Sequence, residues 1–375
     1  MRAALWMLLA AVCSCAQDAS LARLKREAAA LQAHPEQHRL RQIHIALRDW
    51  IEARLPARIT AADVTELSAA LTAPLTPSGF DLQLRSVPQL PGTLLITAGV
   101  PVECGLDQAV YLYRLSSGRP TRILEDHPGG PLHFMSAATQ LSEPDPQGRR
   151  LLLTHFVSAQ CASTWMVMSY SVYRIAADGA SAGRLLSAQD DFWLTDTGPE
   201  FVLRPTGLTV RFLGSSIDPD APNRTRIFRY GFTPAAQRLD PVALRPQDFV
   251  EEWLQRPWSE MQTRSAASTR RLHDRVHADS LSATNAVVQP CAAQPGYWRI
   301  DLEIDRLGRR RLRHPLETWF LVQDLGGSHY LMKAAGAEKA NHPCGASTAA
   351  SSGGPGTSRY ESRDGTPRAC ATAPG

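Results

Sequence analysis

The runs Gly92–Val100, "GTLLITAGV", and Ala109–Leu115, "AVYLYRL", decide the fold. Both are dense in β-branched, aromatic and aliphatic residues and end at turn-forming residues, so they predict strands rather than helix. The same texture returns in "RRLLLTHFV" (149–157), "SYSVYRIA" (169–176), "LTVRFLG" (208–214) and "RTRIFRYGF" (224–232). These strands fall into copies. Gly92, Gly148 and Gly207 each open a strand, and a second strand follows that closes on Tyr113-Arg114, Tyr173-Arg174 or Phe228-Arg229-Tyr230. The copies recur roughly every 55 to 60 residues, a spacing at which internal repeats point to stacked or radial β units.

Three copies are too few to close a propeller, which takes at least four blades. Residues 78–245 are therefore expected to form an irregular propeller-like sheet, or a meander folded as a sandwich. The turn text "EPDPQGRRLLLT" resembles the Pro-Asp-Gly turn that enters many propeller blades. Cys104 and Cys161 follow the first two opening glycines at nearly equal distance, which predicts a Cys104–Cys161 disulfide between neighbouring copies.

The flanks are helical. Leu21, Leu24, Ala28 and Leu31, then Leu40, Ile43, Leu47, Trp50, Ile51 and Leu55, make two stripes at helical spacing. They predict a helical hairpin within residues 17–77, followed by a third helix begun by Thr60 and Asp63 at capping-box spacing. Beyond the β region, Phe249, Val250, Trp253 and Leu254 predict another helix. A capping pair, Ser259 and Gln262, predicts a further helix running toward Leu281. "YWRIDLEI", "ETWFLVQDL" and "HYLM" then predict three strands, so residues 246–333 read as a small α+β unit with an antiparallel sheet. The fold class is α+β, mainly β in the middle. From residue 334 to 375 the chain is rich in Ala, Ser, Gly and Thr, and a disordered tail is expected.

The N-terminus "MRAALWMLLAAVCSCAQDAS" has the organisation of a signal peptide, with cleavage expected after Ala16. Its apolar run is too short to leave a transmembrane helix in the mature protein. Val12-Cys13-Ser14-Cys15 gives the alternative of a lipid anchor at Cys15. Periplasmic or extracellular residence follows, and there Cys104, Cys161, Cys291, Cys344 and Cys370 are disulfide candidates before they are catalytic thiols. The sequence leaves the pairing of the last three open. A formal net charge of +4, spread along the chain, is too mild to argue for nucleic acid, and no nucleic-acid partner is expected. The Arg309-Arg310-Arg311 run reads as a solvated loop.

One stretch offers metal chemistry. "HDRVH", His273 to His277, would place two imidazoles on one helix face, with Asp274 where a zinc hydrolase carries its Glu. Catalytic zinc takes three protein ligands, and the extended motif fails at Ser280 and Ala283, leaving Glu303 as the candidate third ligand. The preferred reading of the same residues is an amphipathic surface, with Leu272 and Val276 buried and His273 and His277 flanking them at the boundary. No GxSxG elbow and no phosphate loop is present. His127-Pro128-Gly129-Gly130 reads as a turn. Asp190-Asp191 and Asp218-Pro219-Asp220 read as loop carboxylates that could hold calcium, and Trp253 and Trp258 as packing residues. No cofactor is indicated.

The order of signal peptide, helical hairpin, "YLYR"-type strands and a "DFVEEWLQRPW" helix start (Asp248 to Trp258) resembles a group of uncharacterised secreted bacterial proteins over roughly residues 36–330. The resemblance implies export and brings no activity with it. The expectation is a non-enzymatic binding or structural module of the cell envelope or secretome, its partner an unidentified protein or envelope component. The alternatives are a metal-dependent hydrolase on His273, His277 and Glu303, or a small-molecule pocket within 246–333.

Overall fold

The paired strands β2 (Thr93–Val102) and β3 (Gly105–Arg114) are buried on both faces, and their alternation shows why. Leu94, Ile96, Ala98, Val100, Tyr111 and Tyr113 point to one side, into a core shared with helices. Leu95, Val110 and Leu112 point to the other, against the next group of strands. A period of two with both faces apolar places this hairpin between two layers.

The computed structural model describes residues 20–337 and 344, apart from 32–35, 61–62, 104, 116–118, 129–134, 160–163, 196–197, 218–222, 234–236, 240–241, 278–280 and 307–315. The expected signal peptide, the Cys15 anchor and the Cys104–Cys161 bridge lie outside the described residues. Among those described, no helix is long and apolar enough to cross a membrane.

The protein is α+β and mainly β. Helices α1 (20–31), α2 (Gln37–Glu52) and α3 (Asp63–Thr72) supply the first core with Leu24, Ile43, Leu47, Trp50 and Leu71. The backbone N–H and hydroxyl of Thr60 both donate to Asp63, as the capping spacing predicts. Three four-stranded antiparallel meanders follow. The first is β1 (Asp81–Ser86), β2, β3 and β4 (Thr121–Asp126); the second is β5 (Met135–Leu141), β6 (Arg150–Ala159), β7 (Trp165–Ile175) and β8 (Ala182–Trp193). The third is β9 (Glu200–Arg204), β10 (Gly207–Ser215), β11 (Asn223–Gly231) and β12 (Gln237–Arg238). A parallel pairing of Asp107 with Met135 joins the first two meanders into one eight-stranded sheet. The sheets do not close into a propeller.

The repeat seen in the sequence is a row of three residues across each meander. Leu94 pairs with Tyr113 and Tyr113 with Arg122; Leu152 pairs with Tyr173 and Tyr173 with Arg184; Leu208 pairs with Tyr230 and Tyr230 with Arg238. In the first two meanders a β-bulge stands immediately before the tyrosine. Each tyrosine hydroxyl then reaches toward an acid of the preceding layer. Tyr113 donates to Glu52 of α2 at 3.2 Å, and Tyr173 hydrogen-bonds Asp126 of β4. Tyr230 meets Tyr170, which donates to Asp190 of β8 at 3.0 Å.

The last unit opens with α4 (Pro246–Gln255), α5 (Trp258–Met261) and α6 (Arg270–Val276). It ends in a fourth meander, β13 (Leu281–Pro290), β14 (Tyr297–Arg306), β15 (Leu316–Gly326) and β16 (His329–Ala337). Two sequence expectations need correction here. The helix expected from Ser259 toward Leu281 is broken: α5 has only four residues, 3₁₀ turns follow, and Leu281 begins a strand. The tail does not start at residue 334, because Ala334 to Ala337 pair with β15. Small residues are needed there, since a Cβ on Gly336 would stand 2.7 Å from the Trp319 ring. Beyond the strand, Cys344 is bonded to Cys291, a pairing the sequence left unassigned. Closing a 53-residue loop in this way restricts the unfolded chain by an amount worth about 4 kcal/mol.

The layers make a graded prediction. Asp126 is 6% exposed, whereas the Glu52 side chain is 32% exposed and also holds Arg122. Tyr173→Phe leaves a buried carboxylate one donor short and should cost about 1–3 kcal/mol. Tyr113→Phe should cost less than 1 kcal/mol, as expected for a more solvated pair. Urea unfolding of the two variants checks the order; equal losses would mean that the tyrosine rows do not set the layers.

Candidate functional site

Among the described residues, three side chains with metal-ligating atoms converge: His44, Asp107 and His127. His44 lies in the middle of α2, where neighbouring Ile43 and Leu47 bury that face of the helix. Asp107 is the third residue of β3, at the position that pairs with Met135 across the meander joint. His127 directly follows β4. Helix packing and strand register thus assemble three residues that the sequence keeps apart.

Both imidazole Nε2 atoms lie 2.8 Å from the same atom, Asp107 Oδ2. The rings are 4.2 Å apart between centroids. An ionised carboxylate only accepts, so each Nε2 carries a proton in this arrangement. Asp107 and His44 are buried, while the His127 side chain is 17% exposed and forms the outer wall. Burial by itself would raise the Asp107 pKa, but the hydrogen bonds from His127 and His44 hold it down, to about 2. Burial lowers the His44 pKa, against its hydrogen bond to Asp107. His44 Nδ1 is buried with no hydrogen-bond partner.

The "HDRVH" residues lie elsewhere. His273 and His277 share a face with centroids 5.0 Å apart, as the helical spacing requires. His273 is 1% exposed and is packed edge-on by Trp253, so it is a core residue and not a boundary residue. Its Nε2–H donates to the Arg256 carbonyl at 2.9 Å, and His277 Nδ1–H donates to the Leu254 carbonyl at 3.0 Å. The two rings thus bond the C-terminal carbonyls of α4 and the residue after it. Glu303 stands on β14, across from Thr284 and Glu317. Trp253 and Trp258 both pack on His273.

Two more polar features frame the surface. Asp190, read from the sequence as a loop residue, sits within β8. Its carboxyl is pushed up to about 6 by burial, against the Tyr170 hydrogen bond and the charges of Arg238 and Arg226. Asp218 to Asp220 lie outside the described residues. A cavity of about 710 Å³ opens beside the β8–β9 connection, lined by Thr195, Pro199, Glu200, Arg211 and Thr225. Leu194 next to it is exposed, and its N–H donates to Thr164 beside the exposed Trp165.

No protein-family model matches the chain, and no protein of curated function does. Among solved structures, the α-L-arabinofuranosidase Arb93A of Fusarium graminearum with an iminosugar inhibitor is similar at 8% identity, over 68% of this chain and 65% of its own, with a TM-score of 0.26. A mutant of that enzyme aligns at 9% identity, over 68% of this chain and 65% of its own, with a TM-score of 0.25. Sqt1 from Chaetomium thermophilum aligns at 12% identity over 66% and 69% of the two chains, with a TM-score of 0.15. The chain spans less than two thirds of the arabinofuranosidase. Likeness at these scores assigns neither fold nor activity.

The raised Asp190 pKa gives a signed prediction. Its folded value near 6 exceeds the unfolded 3.8, so the folded state holds the proton longer. The contribution is full below 3.8, falls as pH rises toward 6, and is constant above that. Asp190→Asn stays neutral throughout. The stability of the natural protein relative to this variant should therefore decline between pH 4 and pH 6. Denaturant unfolding at several pH values checks it; a constant difference would place Asp190 in ordinary solvent.

Proposed function

We propose that the protein is an exported, non-enzymatic binding or structural module of the cell envelope or secretome. In this reading its three meanders serve as blades of an open, propeller-like stack, set on an N-terminal helical hairpin. The observation that carries the binding function is the groove of about 710 Å³ beside the β8–β9 connection. Its size falls in the range of ligand-binding clefts. Glu200 and Arg211 provide opposite charges within it, and Leu194 and Trp165 are exposed nearby. An apolar rim next to a charged groove suits an extended segment of another protein better than a small apolar ligand. Export is supported by the Cys291–Cys344 bond, since such bonds persist in oxidising compartments.

A photo-crosslinking residue placed at Thr195 in the cell-expressed protein tests the groove, with Glu66 on α3 as the distant control. A discrete higher-mass adduct from position 195, absent from position 66, is expected in the envelope or secreted fraction. Recovery of the protein from the cytoplasm with Cys291 and Cys344 reduced would defeat the export reading. An envelope-located protein that gives no adduct from position 195 or from Arg211 would defeat the binding reading.

A further inference from the structure

We propose that His44, Asp107 and His127 form a binding site for one divalent first-row transition metal of the zinc class. The ligand atoms His44 Nε2, Asp107 Oδ2 and His127 Nε2 all lie within 4.8 Å of one another. Two imidazoles and one carboxylate are the donor set of three-ligand zinc and iron(II) sites, whereas calcium and magnesium take oxygen shells. The proposal stands apart from the groove and from the export reading.

The cluster stands at ordinary hydrogen-bond lengths and needs only a small expansion to admit the metal. Metal–donor bonds of about 2.0–2.1 Å at tetrahedral angles put the donor atoms roughly 3.3 Å apart. The two contacts to Asp107 measure 2.8 Å, so each opens by about half an ångström to admit the ion at its ordinary bond lengths. Such a shift is small for His127, the outermost of the three.

Charge leads the same way. Asp107 is 2% exposed, and its hydrogen-bond partners at the site are the two imidazoles, at one oxygen. A cation held by the same three donors would compensate the carboxylate's buried charge. One divalent ion takes the place of both Nε2 protons, each ring then carrying its proton on Nδ1, and meets all three donors at once. The partial exposure of His127 leaves the entry path and the fourth coordination position on its side.

The three donors come from α2, β3 and the end of β4, so the ion would tie the helical layer to the first meander. Metal binding should therefore raise the unfolding temperature as well as appear in the composition.

The full-length protein, purified without a histidine tag, is titrated with zinc and, in parallel, with cobalt(II). Expected are one ion per chain, visible cobalt absorption of a nitrogen- and oxygen-ligated site, and a rise in the unfolding temperature. His127→Ala should keep the far-ultraviolet circular dichroism of the natural protein and weaken affinity by at least about 100-fold. Asp107→Asn, which preserves shape, provides the second variant in case the first fails to fold. His277→Ala should bind as the natural protein does. Two results would overturn the assignment: a folded natural protein that takes up neither ion, or stoichiometric binding that survives both site variants.

Discussion

The tyrosine rows are the constraint on which the layers depend. A four-stranded meander has two faces, and a stack works only if each meander turns a fixed face toward its predecessor. Period-two alternation alone does not choose which face, because both are apolar in β2 and β3. The hydroxyls of Tyr113, Tyr173 and Tyr230 make the choice. Each lies at the same cross-strand position, and each reaches Glu52, Asp126 or the Tyr170–Asp190 pair of the layer before it. Turning a meander over would bury those hydroxyls and acids without partners, at about 1–3 kcal/mol per group. The arginine opposite each tyrosine then limits the acid's desolvation: Arg122 bonds Glu52 at 2.8 Å, Arg184 acts on Asp126, and Arg238 acts on Asp190.

The far end is fixed by a different device, and it accounts for the "DFVEEWLQRPW" stretch. Phe249, Val250, Trp253 and Leu254 enter the core of the last unit, while Asp248, Glu251 and Glu252 on the same short helix are just as buried. Those acids meet Arg224 of β11, at 2.8 Å for Glu251, 3.2 Å for Glu252 and 3.8 Å for Asp248. Arg226 and Arg238 add further pairs, and Gly214 leaves the space that the Arg226 side chain fills. A buried ion network of this kind adds little net stability over an apolar contact. It does penalise every docking that leaves one charge alone. Its role is to specify how the helix sits on the third meander.

Much of this could be read from the sequence, and the limits are physical. Strands, helices and the repeat were legible because alternation and the Tyr-Arg pairs are local in the chain. The row itself was not: the arginine partners Arg122, Arg184 and Arg238 lie on the fourth strands, and only the register brings them opposite. His127 was read as part of a turn, and neither His44 nor Asp107 stood out, because Asp107 lies 63 residues from His44 and 20 from His127 along the chain. "HDRVH" drew attention for the opposite reason. Its histidines are four apart, yet what matters to them is the pair of carbonyls they bond, Leu254 at the end of α4 and Arg256 just past it. The strand ending at Ala337 escaped because "AAGA" has no strand signature. Its meaning is Trp319, which leaves room for nothing larger at Gly336.

The position of Asp107 brings these threads together. It is the residue through which the first two meanders pair, it lies on the strand that faces the helices, and it receives both imidazoles. A strand interior normally excludes a carboxylate, since burying one without compensation costs more than any single packing contact returns. Its retention there requires donors from two directions, and α2 and the end of β4 deliver one each. The same geometry makes the joint sensitive. A ligand held by His44, Asp107 and His127 at once would tie the helical layer to the sheet. The chemistry of this cluster and the joint between helices and sheet thus meet at a single buried oxygen.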